Sequence, residues 1–366
     1  MDTKVRRNIE FLTSIYEKRP FTRHGFYAKP PEAGIIDFPD GDYTLSNKPV
    51  SAWVPIFVEN YRREMEMLET VGGDIVPFAR ANTATHIYAA AFGAPVHAYE
   101  GMNTNPAAMP FIMNADEADT LEVPNIWKTP VLYRIFEMNY ALQKELGKDI
   151  YLGPPDMQSG FDVMSQLWDK TDLFCSMLLP DKKEAVHRLN AKCARLFKTF
   201  VTELRKEFPM MQVCHCPGVW TPPAMGPWLS NDECGEFGPE QFEEFCLPEL
   251  IDLSRTFGGL GMHCCAKAEH QFELFKKIPG FYGFNRVASK NTKGYKMMLD
   301  HFNDEHSPVL VFGWMDDATA EWFIRNAPAG VRCIFSYTAP TREQGSTWLE
   351  RMHTATEASE KERVTA

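Results

Sequence analysis

Apolar residues recur along the chain at helical spacing, in stretches separated by short apolar runs. Over residues 54–71 they fall at Phe57, Tyr61, Met65 and Leu68, and the stretch stops at Gly72-Gly73. A short apolar strand, Asp74-Ile75-Val76-Pro77, follows directly. The second half repeats this alternation more plainly. Residues 182–208 predict a long amphipathic helix, with Val186, Leu189, Cys193, Leu196, Phe200 and Leu204 on one stripe, feeding a strand over 210–214. A helix over 239–257 starts at Gly238-Pro239 and should bend at Pro248. A strand over 258–265, a helix over 266–277 and a strand over 281–285 come next. Strands over 309–314 and 331–337 then flank a helix over 319–326.

Strands alternating with helices imply parallel pairing through right-handed crossovers. At 366 residues this suits a single (β/α)8 TIM barrel first, and an open doubly wound sheet second. The expected layout is an irregular N-terminal extension over 1–52, a barrel over 53–355 and a C-terminal tail over 356–366. The extension is rich in Pro, Gly and charge, as in Lys29-Pro30-Pro31 and Pro39-Asp40-Gly41-Asp42, with one helix near 8–18. No internal repeat or low-complexity segment is present. The dinucleotide fingerprint G-x-G-x-x-G, the phosphate loop G-x-x-x-x-G-K-[ST] and the acyl-transfer elbow G-x-S-x-G are all missing.

Charge removes further classes. Lys and Arg total 38 against 49 Asp and Glu, a net −11, and no basic run exists to track a phosphate backbone. Nucleic acid is therefore not an expected partner. No apolar run approaches the roughly 18 residues needed to cross a bilayer, so no membrane association is expected. The N-terminus lacks an apolar signal core. Nine cysteines, an odd number without a regular framework, suit a reducing cytoplasm in which free thiols can bind metal.

Met262-His263-Cys264-Cys265 is the most informative segment. In a strand His263 and Cys265 share a face, and imidazole plus thiolate is a natural half-site for zinc. The segment closes its strand just before a helix, at the end of a β/α barrel that carries chemistry. Cys333 is the best candidate for a third ligand, and three protein ligands would leave one position open. A hydrogen-bonded core histidine among space-filling cysteines is the bland alternative. Cys214-His215-Cys216 is a rival half-site, followed by Pro217 and Gly218 at another strand end. Cys175, Cys193 and Cys246 lie in helical patterns and read as core.

Four segments resemble the uroporphyrinogen decarboxylase superfamily and, within it, the cobalamin-dependent methyltransferases. Asp74-Ile75-Val76 followed by Ala90-Ala91-Phe92-Gly93-Ala94 resembles the family's early strand and helix end. Leu152-Gly153-Pro154-Pro155 before Phe161-Asp162 is similar to its G-P-x-T turn. Asp232-Glu233-Cys234-Gly235, with residues 238–245 and Pro248, resembles its S-P-x-x-F-x-x-F-x-x-P helix. His263-Cys264-Cys265 resembles its H-x-C metal motif, with Cys333 where that branch has its distant third ligand. The resemblance extends over about residues 54–350 and implies one β/α barrel. No counterpart of the decarboxylase segment Arg-Gln-Ala-Gly-Arg occurs over 21–45, and Ala266 stands where the methyltransferases carry Gly. Some members use a carboxylate ligand, so Asp232, Glu233 or Glu236 could replace one cysteine.

The resemblance implies a zinc-dependent methyltransferase of the O-demethylase type. It would move a methyl group between a small methylated substrate, such as a methoxylated aromatic, and a corrinoid protein. The chain has no D-x-H-x-x-G signature, so the cobalamin is expected on a separate partner. Alternatives are a methylcobalamin:thiol methyltransferase of the coenzyme M kind, a uroporphyrinogen decarboxylase-like decarboxylase, and a non-catalytic barrel that binds a corrinoid protein. The expected metal ligands are His263, Cys265 and Cys333. Asp232, His215 and Tyr337 are the catalytic candidates. Between Cys216 and Phe237, Trp220 and Trp228 head an apolar loop that would cover the substrate or dock the corrinoid carrier, or else pack on itself. Gln158, Asp162, His86, Tyr88 and Arg80 complete the polar candidates for the pocket. A homodimer is among the expected assemblies.

Overall fold

The computed structural model describes residues 2–32, 42–97, 106–287 and 292–365. The Pro39-Asp40-Gly41 turn of the expected extension lies outside the described residues. The strands are β1 (Gly25–Lys29), β2 (Phe78–Ala79), β3 (Val96–His97), β4 (Ala107–Ala108), β5 (Tyr151–Leu152), β6 (Trp228–Ser230), β7 (Leu260–Cys264), β8 (Phe281–Arg286), β9 (Val309–Gly313) and β10 (Cys333–Thr338). Six of them form one sheet in the order β1-β10-β9-β8-β7-β6, parallel throughout, with helices between successive strands.

Shorter pieces extend this sheet from both edges. Beside β1, Asp74 N donates to Phe26 O at 2.8 Å, and Phe26 N returns a bond to the Asp74 carboxylate at 2.7 Å. β2 pairs with β5 in parallel, and Leu152 of β5 bridges Met211. At the other edge Gln158 bridges Ser230 of β6. Among the described residues no ladder joins Met211 to β6. β3 and β4 form a separate antiparallel pair.

The central strands are apolar on both sides because both faces are buried. One side chain set packs together on one face of the sheet, the inner core: Tyr27, Val213, Trp220, Trp228, Tyr282, Val309, Val311 and Ile334. The alternate set packs against the helices: Phe26, Met262, Cys264, Phe284, Leu310, Phe312, Cys333 and Phe335. This two-residue period decides which side chains can reach one site. Trp228 fills the inner space by lying on two glycines. A Cβ at Gly261 would fall 2.3 Å from its indole, and one at Gly283 2.2 Å.

The structure corrects several expectations, among them a strand over 210–214, where Met211 makes only a single bridge. The N-terminal segment is not an irregular extension: helix Thr3–Tyr16, capped by Asp2, buries Leu12, Ile15 and Tyr16, and β1 belongs to the main sheet. β6 lies within the stretch expected to be a loop. Residues 356–365 continue the helix Arg342–Thr365 instead of leaving it as a tail. Helix Lys183–Glu207 has the expected stripe. The expected bend at Pro248 is a π-helical turn, Phe242–Cys246, leading into Leu247–Phe257, as the missing proline N–H breaks the regular ladder. No helix among the described residues is long and apolar enough to cross a membrane.

Candidate metal centre

The C-terminal ends of the parallel strands bring together His263, Cys265 and Asp232. One ligand atom from each lies within 4.8 Å of the others. His263 is the next-to-last residue of β7 and stands opposite Asn285 of β8. Its Nδ1 meets Asn285 Oδ1 at 2.6 Å, and the same amide donates through Nδ2 to Val311 O at 2.6 Å. The carbonyl of Val311 can only accept, which leaves the amide oxygen for His263. Nδ1 is therefore the donor in this bond, and Nε2 is the nitrogen left to face the sulfurs. That Nε2 lies 2.9 Å from Cys265 Sγ and 3.8 Å from Cys216 Sγ.

Asp232 is placed by its backbone. Asn231 N donates to His263 O at 3.0 Å, which carries the chain from β6 across the end of β7. Asp232 N and Glu233 N then donate to the two oxygens of Asp162 at 2.7 and 3.2 Å. Asp162 lies in the first turn of helix Gly160–Leu167, whose cap is Ser159. Asp232 in turn accepts from Cys265 N. His263 is buried, Asp232 half-buried and Cys265 exposed, so the cluster opens to solvent on its sulfur side.

Electrostatics follow from this crowding. Burial works against a charged His263, but Cys216, Cys265 and Asp232 outweigh it and hold the imidazolium well above its usual range. Burial pushes the Cys265 thiol up, although His263 opposes the shift. Burial, and then the nearby His263 and Arg80, keep His215 well below its usual value. Burial raises the Asp156 carboxyl to about 6. Burial and the neighbouring Asp232 raise Asp162 well above the carboxylate range.

Other expected site residues are elsewhere. Cys333 opens β10 on the helix-facing side with Phe335, while Ile334 turns inward, so its sulfur and the cluster lie on opposite faces of the sheet. Burial raises its thiol, and its backbone N donates to His24 Nδ1 at 3.2 Å. Tyr337 stacks on Trp348 of the C-terminal helix at 5.4 Å. Trp220 and Trp228 are fully buried in the inner core, so neither offers a docking surface. His215 does reach the site, its ring 6.1 Å from that of His263. Its two nitrogens are engaged with Trp228 O at 3.1 Å and Ser230 Oγ at 3.0 Å, which makes it a support and not a free acid or base.

Of the remaining pocket candidates, Gln158 donates to Asp156, and Tyr88 O–H meets Met157 sulfur at 3.4 Å within the core. His86 Nε2 is 3.4 Å from Thr44 Oγ1. Glu233 pairs with Lys170 at 2.6 Å and Glu236 is exposed, so Asp232 is the carboxylate of the cluster. From the rival half-site, Cys216 borders the cluster, whereas Cys214 is buried and donates to Cys216 O at 3.4 Å. Asn285, Asp156 and Ser230 join the site without belonging to any motif in the sequence. A polar residue inside the apolar run Phe281-Tyr282-Gly283-Phe284-Asn285 is the signal that marks Asn285.

The donor set fits a zinc ion: an imidazole of fixed tautomer, a thiol and a carboxylate are its usual ligand types. No protein-family model matches the chain, and no curated protein matches it in sequence. Among solved structures, a methyltransferase from Methanosarcina mazei is similar in fold. The TM-score is 0.63 over 96% of this chain and 98% of that one, at 11% identity.

Proposed function

We propose that the protein is a zinc-dependent methyltransferase, moving a methyl group between a small methylated substrate and a corrinoid carried by a separate protein. The observation that carries this reading is the convergence of His263, Cys265 and Asp232 at the open end of the parallel sheet. The fold likeness to a methyltransferase is consistent with it. We also propose that the sheet closes into a (β/α)8 barrel, with β1 as one stave. Ladder fragments at both sheet edges support that closure. The nine free cysteines favour a cytoplasmic setting.

His263 Nε2, Cys265 Sγ and an Asp232 oxygen would hold the metal, with Cys216 beside them. Bound there, zinc supplies Lewis-acid pull on a leaving oxygen, or keeps a substrate thiol deprotonated. Asn285 holds the His263 proton on Nδ1 and so keeps Nε2 available. Asp162 orients Asp232 through two backbone N–H groups. His215 closes the cluster from behind, where burial keeps the ring neutral and its bonds to Trp228 and Ser230 hold it fixed.

A carboxylate in place of a second thiolate leaves the metal harder and more electron-poor, which favours withdrawal of charge from an ether oxygen over storage of a thiolate. This supports a methyl ether as donor, with a thiol acceptor as the second reading. The test supplies zinc-loaded protein with a methoxylated aromatic and free cob(I)alamin. Methylcobalamin should accumulate, and His263→Ala should abolish it. A wild type that retains zinc yet forms no methylcobalamin from any methyl ether or thiol pair would overturn the reading.

A further inference from the structure

Two cations meet beside the metal cluster, and among the described residues neither is held in an ion pair. Lys29 ends β1 and Arg80 follows β2, so both stand at the same strand ends as His263. Arg80 threads between two glycines. A Cβ at Gly153 would lie 2.6 Å from its Cβ and Cγ, so only glycine leaves passage for the stem. At Gly218, whose φ is +71°, a Cβ would lie 3.2 Å from Arg80 Nη1, 3.6 Å from Lys29 Nζ and 3.7 Å from the carbonyl of His215. Both cationic heads therefore surround one point next to the residue that backs His263.

Their hydrogen bonds leave capacity unused. Arg80 donates only through Nε, to Pro154 O at 3.0 Å, and among the described residues its two Nη nitrogens have no acceptor. Lys29 donates to Pro217 O at 2.9 Å. No carboxylate among the described residues lies within ion-pair distance of either. The acids that face them are Glu64, Glu32 and Asp156. Burial pushes Glu64 up to about 8 despite Lys29 nearby, so it is largely protonated at neutral pH. Glu32 is engaged with Asn82, and Asp156 with Gln158. Holding two cations together costs free energy unless an anion joins them, and a free guanidinium fork matches a carboxylate in two parallel bonds.

We propose that Arg80 and Lys29 form the seat for a carboxylate on the substrate, which places the methyl-bearing end of that molecule toward His263 and Cys265. The substrate class is thus an anionic methyl donor, not a neutral ether. This rests on the methyl-transfer reading for its chemistry but not for its detection, because binding is read without turnover.

The probes are methoxyacetate and its neutral isostere methoxyacetamide, titrated calorimetrically into the full-length, zinc-loaded protein. Charge-assisted bonds at a fork of this kind predict that methoxyacetate binds about 10- to 100-fold more tightly. Arg80→Gln should bring the two ligands within about twofold, and Arg80→Lys, which keeps the charge but not the fork, should fall between. Equal affinities in the wild type, absence of saturable methoxyacetate binding, or a preference undiminished in both variants would overturn the seat. A preference that survives in protein unable to bind zinc would support the seat while removing the methyl-transfer reading. Zinc binding and turnover without the preference would do the reverse.

Discussion

Asn285 makes two bonds that separate when the side chain is changed in two ways. Asn285→Ala leaves both the His263 Nδ1–H and the Val311 carbonyl without partners in a fully buried position. Each orphaned group costs about 1–3 kcal/mol, so the variant should lose about 2–6 kcal/mol of folding stability. Freed of its partner, the imidazole can rotate or move its proton to Nε2, and loss of such a support lowers metal affinity about 10- to 100-fold. Asn285→Asp keeps an acceptor for His263 but sets a carboxyl against the Val311 carbonyl. It should lose stability while holding zinc within about threefold of wild type. The assay is competition for zinc against a chromophoric chelator, paired with urea denaturation. Unchanged zinc affinity in folded Asn285→Ala, or equal losses in both variants, would refute the argument that this amide sets the tautomer.

Two further outcomes follow from the packing and from a buried acid. Gly283→Ala would put a methyl 2.2 Å from the Trp228 ring, and overpacking of this kind should lower the urea midpoint by an amount worth about 1–3 kcal/mol, with Trp228→Phe in the same chain recovering part of it. A midpoint unchanged by Gly283→Ala would show that Trp228 is not wedged there. Burial raises Glu249 from 4.5 to about 7 although Gly160 N and Phe161 N bond to it. The folded state then holds the proton more tightly than the unfolded chain, so stability should fall as pH rises from about 4.5 to 7 and level off above, by about 3 kcal/mol. Glu249→Gln should flatten that limb of a pH series of urea unfolding curves, and an equally steep limb in the variant would assign the slope to another group.

The half of the site that is legible in the sequence is the half that lies at the end of one strand. His263 and Cys265 are two residues apart, so the strand period alone puts them on one face. Asn285 could not be read that way, because its partnership with His263 depends on the register between β7 and β8. Cys333 shows the same limit from the other side. It lies on a strand of the right sheet but on the face with Phe335, and only the position of Ile334 in the inner core reveals the phase. Trp220 and Trp228 read as loop residues because prolines surround them, whereas both indoles are buried in the inner core, that of Trp228 against Gly261 and Gly283 and that of Trp220 against Tyr151. β1 is not legible in the sequence, since Gly-Phe-Tyr-Ala-Lys is buried on both faces and carries no alternation.

The most direct test of the account is the zinc content of the purified wild type and of four single variants, with absorption spectroscopy at the zinc edge to count sulfur ligands. The account predicts about one zinc per wild-type chain, sharp loss in His263→Ala, Cys265→Ala and Asp232→Ala, and full retention in Cys333→Ala. Full occupancy in the first three variants, or loss confined to Cys333→Ala, would contradict it.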